Sequence, residues 1–429
     1  MKVCFFSRSY WPELGAVGQL LTELTEDLVQ HHGCEVSVVA GLPLASAERV
    51  TRASFVMRRE LHNGVHIVRA GGTMFPKERF AGRAANYITY FLCACVAAIR
   101  IGGADVVVSL TDPPIIGLAA LLAARRCGAR FVFVCQDVFP EVARLVEDFH
   151  SLTVERCLEW VGRFLIAQAD RVIVPGEAMR DRLVAAKGAE PRKVVVIHNW
   201  ADCVQIVPGP KENAVSLTHG WADSFVVMHS GNVGLSQDLD TLLDVAYLLR
   251  SYRDIVIAIV GDGVKRTALE RRVRAEQLSN VRFLPYQAKA DLSQSFATAD
   301  VHIVSLKQGL AGCIVPSKLY GILASGRPYV AAVERACEVA AITGDYGCGL
   351  IVEPGNSREI AENVLRLYHD RSLGQRLGAN GRRAALRFDR KRQVQAYYDI
   401  LRDLAANPRG IGRANCGDAA STYPSLASG

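Results

Sequence analysis

One pattern dominates this chain and is written twice. A short run of β-branched and apolar residues is followed by a loop and then by an amphipathic helix. Val3–Phe6 leads into a helix over Gly18–His31. Strands follow at Glu35–Ala40, Val65–Arg69, Val106–Ser109, Arg130–Val134, Arg171–Val174 and Val194–Ile197. Helices fit Ala84–Ile101, Ile115–Arg125, Val154–Gln168 and Ala178–Ala186. Strands this uniformly apolar are buried on both faces, and parallel neighbours need a crossover. The pattern therefore predicts an α/β chain with a parallel sheet covered on both sides.

The pattern stops between Asn199 and Trp221, where Pro208, Gly209, Pro210 and Gly220 mark a hinge. It restarts at Phe225–Met228 and runs through strands Ile255–Val260, Val281–Leu284, Val301–Val304, Tyr329–Ala332 and Gly349–Val352. Helices separate them, the last over Ser357–His369. The predicted division is a first Rossmann-like domain over 1–205 and a second over 206–385. A terminal helix over 386–406 and a flexible Gly/Ala/Ser/Pro-rich tail over 407–429 follow. The length of 429 residues suits two tandem doubly wound domains of roughly 200 residues each. Ligands bind at the carboxyl ends of such strands, so two domains facing an interdomain cleft suit a reaction between two substrates.

Charge narrows the partners. The net charge of +7 is too small for a strongly basic nucleic-acid-binding face, and no nucleic acid is expected. The excess is local. Residues 51–100 hold eight basic and two acidic side chains, and residues 381–392 hold six and one. The twelve cysteines form no Cys-x-x-Cys pair and lie largely in apolar runs, as in a reducing compartment. The N-terminus reads as a strand and not as a signal peptide. The longest uncharged apolar runs, Ile88–Ile99 and Pro113–Ala124, are twelve residues each. A bilayer-spanning helix needs about 20.

Five segments carry chemistry. Tyr10–Gln19 sits between the first strand and helix, with Gly15 and Gly18 allowing close backbone approach to a ligand. Steric need alone explains such glycines equally well. The loop is not Gly-x-Gly-x-x-Gly, which counts against a nicotinamide cofactor. Ser230-Gly231-Asn232-Val233-Gly234 occupies the equivalent place in the second domain. Gly261-Asp262-Gly263 turns sharply off a strand, and Lys265 and Arg266 then oppose the dipole of the next helix. That placement makes sense beside a bound anion, or as solvated surface charge. Pro316-Ser317-Lys318-Leu319 opens a helix that closes at Gly326-Arg327-Pro328. Free N–H groups, a hydroxyl and a full charge there suit a diphosphate. Asp137 and Glu141, in Gln136–Glu141, lie at a strand's carboxyl end. Either could bind an acceptor hydroxyl or take its proton, and Asp137 could instead cap the next helix.

Taken in order, Tyr10–Gly18, Asp137–Glu141, Val196–Asp202, Ser230–Gly234, Gly261–Gly263 and Pro316–Pro328 resemble the retaining glycosyltransferases of family 4, with the GT-B architecture. The resemblance covers roughly residues 1–405. Within that family it is nearest to bacterial enzymes of surface-polysaccharide assembly, similar to those that transfer fucose-type sugars. It implies a nucleotide-sugar donor in the second domain. Gly231, Asn232, Gly234, Ser317, Lys318 and Leu319 would hold the diphosphate, and Gly261, Asp262, Gly263 and Lys265 would border the nucleotide. Gly15 and Gly18 would close over the transferred sugar, and Asn199 would sit at the end of the hinge strand. The terminal helix would cross back onto the first domain. No metal or other cofactor is implied, because backbone N–H groups and Lys318 can neutralise the leaving diphosphate.

Two departures stand out. The paired Glu residues of the family fall here on Cys313 and Gly321. Its loop Arg and Lys fall on Asn232 and Gln237. Two other readings therefore stay open: a sugar-nucleotide 2-epimerase on the same fold, and a non-catalytic partner subunit. The basic stretch at 77–101, beside the aromatic apolar run Tyr87–Leu92, favours the transferase. It predicts a cytoplasmic protein held peripherally on an anionic inner-membrane surface, with a lipid-linked saccharide acceptor. The alternative for this stretch is a buried Rossmann helix with a solvated basic start.

Overall fold

The computed structural model describes residues 1–13, 15–43, 57–75, 80–146 and 151–407. The first unit has strands β1 (Lys2–Phe6), β2 (Glu35–Ala40), β3 (Arg58–His62), β4 (Val65–Arg69), β5 (Val106–Ser109), β6 (Arg130–Val134), β7 (Arg171–Val174) and β8 (Val194–Val196). Its helices are α1 (Ala16–Gln30), α2 (Phe80–Arg100), α3 (Ile116–Cys127), α4 (Glu141–Val146), α5 (Leu152–Gln168) and α6 (Glu177–Lys187). The strand order is β3-β4-β2-β1-β5-β6-β7-β8. All neighbours are parallel except β3, which pairs antiparallel with β4. The fully parallel first sheet expected from the sequence is thus a mixed one. A Gly64 turn with φ near 82° lets the polar run Arg58–His62 fold back as an edge hairpin.

A short helix α7 (Ala214–Thr218) opens the second unit. Its strands β9 (Phe225–Ser230), β10 (Ile255–Val260), β11 (Val281–Leu284), β12 (Val301–Ser305), β13 (Tyr329–Ala332) and β14 (Leu350–Val352) are ordered β11-β10-β9-β12-β13-β14 and are all parallel. The helices are α8 (Leu239–Leu248), α9 (Arg266–Ala275), α10 (Leu292–Thr298), α11 (Lys318–Ala324), α12 (Glu338–Tyr346), α13 (Ser357–His369) and α14 (Arg371–Ala385). Strand order reverses beside β1 in one sheet and beside β9 in the other. The loops leaving β1 and β9 therefore open onto the crevices where ligands bind in such sheets.

The last helix, α15 (Arg390–Ala406), packs on the first unit. Its Val394, Tyr397, Leu401 and Leu404 are buried together with Val3, Phe5, Leu24 and Leu28. Arg390 anchors it through a two-pronged pair with Asp27, at 2.6 and 2.7 Å. The tail beyond Asn407 lies outside the described residues.

The fold uses part of the basic excess internally. Arg69 is 1 % exposed and donates to Glu60 at 2.9 Å. Arg382 donates to the carbonyls of Cys203, Ile206 and Ala324. Arg52, Lys77 and Arg79 lie outside the described residues. Arg383, Arg387, Lys391 and Arg392 remain exposed. Helix α2 exceeds the twelve-residue run seen in the sequence: over Gly82–Arg100 it is long and apolar enough, by length and composition, to cross a membrane. In the fold its Tyr90, Ala94, Ala97 and Ala98 pack into the core of the first unit. Ile88, Leu92, Val96 and Ile99 face outward.

Candidate functional site

In the second unit two glycine loops are pressed together. The Gly231 N–H donates to Val260 O at 2.9 Å, Val233 N–H to Asp262 O at 2.9 Å, and Lys265 N–H to Val233 O at 3.1 Å. Gly261 has φ near 134°, and a Cβ there would meet Gly231 O at 1.9 Å. Gly263 is constrained as well, since a Cβ there would meet Val233 O at 2.5 Å. These glycines are demanded by backbone packing, which shapes the loops at the ends of β9 and β10.

Lys318, the first residue of α11, reaches these loops. Its Cε lies 3.4 Å from where a Gly231 Cβ would be. Its amine donates to Gln237 Oε1 and lies 3.3 and 3.5 Å from the two ring nitrogens of His229. Burial lowers its pKa to about 7. Burial, and then the neighbouring Lys318, hold His229 well below the usual imidazole range. His229, the penultimate residue of an apolar strand, carried no sequence signal, and Gln237 stood out only as a departure from the family's loop cation, not as a partner of Lys318.

The other donor-side candidates separate. Asn232 and Asp262 are exposed at the loop tips. Gly234 lies against Asn232. Ser317 precedes α11 but its side chain caps no N–H group. Leu319 is fully buried in the core and its N–H donates to Pro316 O, so neither its side chain nor its amide is offered to a ligand. Lys265 pairs with Asp240 at 2.7 Å, and Arg266 with Glu270 and the carbonyls of Gly261 and Leu284. Both cations are thus engaged within the second unit. The missing Glu pair has a steric account at one position. A Cβ on Gly321 would come 2.9 Å from Phe296 Cζ. Cys313 is fully buried, and its carbonyl accepts the Val138 N–H.

That last bond spans the two units. Asp137 forms an isolated antiparallel bridge with Ile314, so the loop after β6 runs alongside the segment leading to Lys318. Thr111 Oγ1 accepts the N–H groups of Gln136 and Asp137 at 3.2 and 3.3 Å. Gln136 and the buried Asn199 exchange amide hydrogen bonds at 3.2 Å. The Asp137 carboxyl accepts no hydrogen bond from the described residues, and α4 starts four residues later, so it caps no helix there. Burial, with a smaller contribution from Asp112, raises its pKa to about 7. A carboxyl poised near neutrality can take or return a proton.

Glu141 differs. Its carboxylate pairs with the buried Lys187 at 2.9 Å, and Lys187 also binds Glu159 and the Phe139 carbonyl. This cluster fastens the loop after β6 to α5 and α6. A second bridge between the units joins Glu23 of α1 to Lys289 at 2.8 Å, with Trp200 Nε1 donating to the same carboxylate at 2.9 Å. Gly15 precedes α1 at φ −65°, and no atom of the described residues lies within 4 Å of where its Cβ would be. Gly18 has only ordinary contacts. Among the described residues no group of three or more His, Cys, Asp or Glu side chains could hold a metal ion.

Comparison with known proteins fits this geometry. Residues 15–200 match the glycosyl transferase 4-like domain, and residues 224–370 match the glycosyl transferases group 1 domain. The chain belongs to the family 4 glycosyltransferases. It is similar to a probable glycosyltransferase, WbjE, of Pseudomonas aeruginosa, at 29% identity over 292 residues, covering 67% of this chain and 72% of that one. It is also similar to a putative colanic acid biosynthesis glycosyl transferase, WcaI, of Escherichia coli K12. That match is 25% identical and covers 85% and 91%. Among solved structures, Anabaena Alr3699/HepE in complex with UDP and glucose superimposes with a TM-score of 0.69 at 18% identity, covering 94% of this chain and 99% of that one. The lipopolysaccharide glycosyltransferase WaaG gives 0.69 at 15% identity, covering 93% and 99%. The enzyme's two facing doubly wound units are the GT-B fold.

Proposed function

We propose that this glycosyltransferase moves a sugar, with retention, from a nucleoside-diphosphate sugar to a lipid-linked saccharide in surface-polysaccharide assembly. The observation that carries the reading is the Lys318 amine, free of any carboxylate partner among the described residues, facing glycine loops at the strand-order reversal of the second sheet. A diphosphate there would meet a cation and close backbone, with leaving-group charge stabilised without reorganisation. Asp137 would approach from the other side of the cleft and hold or deprotonate the acceptor hydroxyl. The complexes of HepE with UDP and UDP-glucose, and the colanic acid assignment of WcaI, support the same reading. No metal or other cofactor is proposed.

The outward face of α2 supports a peripheral seat on an anionic membrane at the cytoplasmic side. Ile88, Leu92, Val96 and Ile99 form a helical stripe, each more than two-fifths exposed. Arg100, in the last turn of the same helix, is exposed as well. Apolar insertion with flanking cations is how an interfacial helix binds lipid.

A thermal-shift panel of nucleotide-sugars tests the donor. One base should raise the melting temperature, by about 2.7 kcal/mol of stabilisation at a hundredfold excess over Kd. Absence of any shift across the panel would remove the donor assignment. In the same preparation, the chain should sediment with anionic liposomes at low salt and be released at high salt. Failure to sediment would remove the membrane assignment alone.

A further inference from the structure

Lys318 is partly buried, and among the described residues its amine meets the side chains of Gln237 and His229 and no carboxylate. Gln237, 6 % exposed, presents Oε1 to the amine, and its own amide nitrogen donates to Ser236 Oγ at 3.1 Å. His229 is fully buried, with Nε2 at 3.4 Å from the Asn232 carbonyl. Behind it stands the buried His302, whose Nε2 lies 3.1 Å from Phe296 O and whose pKa burial lowers to about 3. The nearby charges face elsewhere. Asp238 accepts from Thr241 Oγ1 at 2.8 Å, Asp262 accepts from Gly263 N–H at 2.8 Å, and Lys265 is paired with Asp240. Arg382 of α14 reaches the far end of α11, at Ala324 O.

A fixed ammonium in such a pocket lacks a counter-charge, and burying one unpaired costs several kcal/mol. The amide oxygen of Gln237 accepts equally from an amine and from an ammonium, so it can hold Nζ in place in either state. We propose that Lys318 stands as a neutral amine in the empty site and takes one proton from solvent as the donor's diphosphate enters. This rests on the donor reading above. The incoming phosphates supply the counter-charge that the fold withholds, and the proton leaves again with the nucleotide. The lowered pKa of the empty site, about 7, agrees with this. The sign follows from it. Below about pH 7 the amine is already charged and binding exchanges no proton at this group. Above it, affinity falls roughly tenfold per pH unit until the pKa of the bound state is reached.

Titration calorimetry on the full chain tests the coupling, using whichever of UDP, GDP or dTDP binds, at about pH 8 in two buffers of different ionisation enthalpy. The free nucleotide is already fully ionised there, since its terminal phosphate titrates near pH 6. Wild type should take up close to one proton per nucleotide, with Kd weakening about tenfold from about pH 8 to about pH 9. Lys318→Arg, permanently charged, should bind with no uptake and a flat profile. Saturable wild-type binding without proton exchange would overturn the proposal, as would unchanged uptake in Lys318→Arg. Binding of none of the three nucleotides at any pH would instead remove the donor reading, and this inference with it.

Discussion

The two sides of the cleft are built on different rules. On the donor side, loops 230–234 and 261–263 lie backbone against backbone, and their shape is fixed before any ligand arrives. On the acceptor side, none of the described residues crowds the place of a Gly15 Cβ, and none donates a hydrogen bond to the Asp137 carboxyl. What is rigid there lies one step back, in the cluster of Lys187, Glu141 and Glu159. The difference teaches how to separate glycines and carboxylates that make the fold from those that wait for a substrate. A residue whose identity the packing already explains says little about ligands. One whose identity it leaves unexplained says more.

The strongest way to break the comparison is Gly261→Ala. The new Cβ would overlap Gly231 O, in a backbone conformation that alanine resists. A cost of about 3 kcal/mol or more is expected, with loss of nucleotide binding and turnover. Thermal melting alongside a transfer assay measures both. A variant that melts normally and still turns over would show that the donor loops are not preorganised.

Asp137→Asn probes the other side, with Glu141→Gln as its counterpart. Asp137 has its pKa raised to about 7. It is therefore increasingly a carboxylic acid below about pH 7, and a step that needs the carboxylate should slow there. Wild-type turnover should rise through about pH 7 and level off above it. Asp137→Asn should fall on the order of a hundredfold or more and lose that limb. Glu141→Gln should keep the limb and lower the melting temperature instead, because Lys187 loses one of its two charged partners. Matching pH profiles in the two variants would erase the distinction drawn between these carboxyls.

Much of this was legible in the sequence, and the misses have physical causes. The apolar strands announced themselves because parallel strands are buried on both faces. The edge strand β3 was silent, since Arg58, Arg59 and Glu60 look like loop until Gly64 turns them back onto β4. Helix α14 was hidden by Gly374, Gly378 and Gly381, which weaken helical propensity. Gly378 is needed because a Cβ there would lie 2.1 Å from Gly326 O. In the site, Lys318 stood out as a charge beside a turn. His229 did not, and Gln237 stood out only as a departure from the family's loop cation, because a neutral acceptor 81 residues away in sequence leaves no local pattern that pairs it with Lys318. Charge counting overstated the basic face for the same reason: the partners that draw Arg69, Arg382 and Arg390 inward are set by the tertiary fold.

The smallest effect, and the sharpest use of the comparison, belongs to Gly15→Ala. Gly15 has an ordinary backbone conformation, and no atom of the described residues lies within 4 Å of where a Cβ would stand, so their packing gives no reason for glycine. Stability should change by no more than about 0.5 kcal/mol, the range for a substitution that disturbs no packing. If the missing side chain instead leaves room for the transferred sugar, kcat/KM should fall about tenfold or more while nucleotide affinity holds. One methyl group at a closely fitted substrate surface can account for about 1–3 kcal/mol. The donor loops lie on the other unit, so nucleotide binding serves as the internal control. Should kcat/KM stay unchanged, the loop at Gly15 would lose its place over the sugar. The acceptor side of the cleft would then rest on Asp137 and the residues that hold its loop.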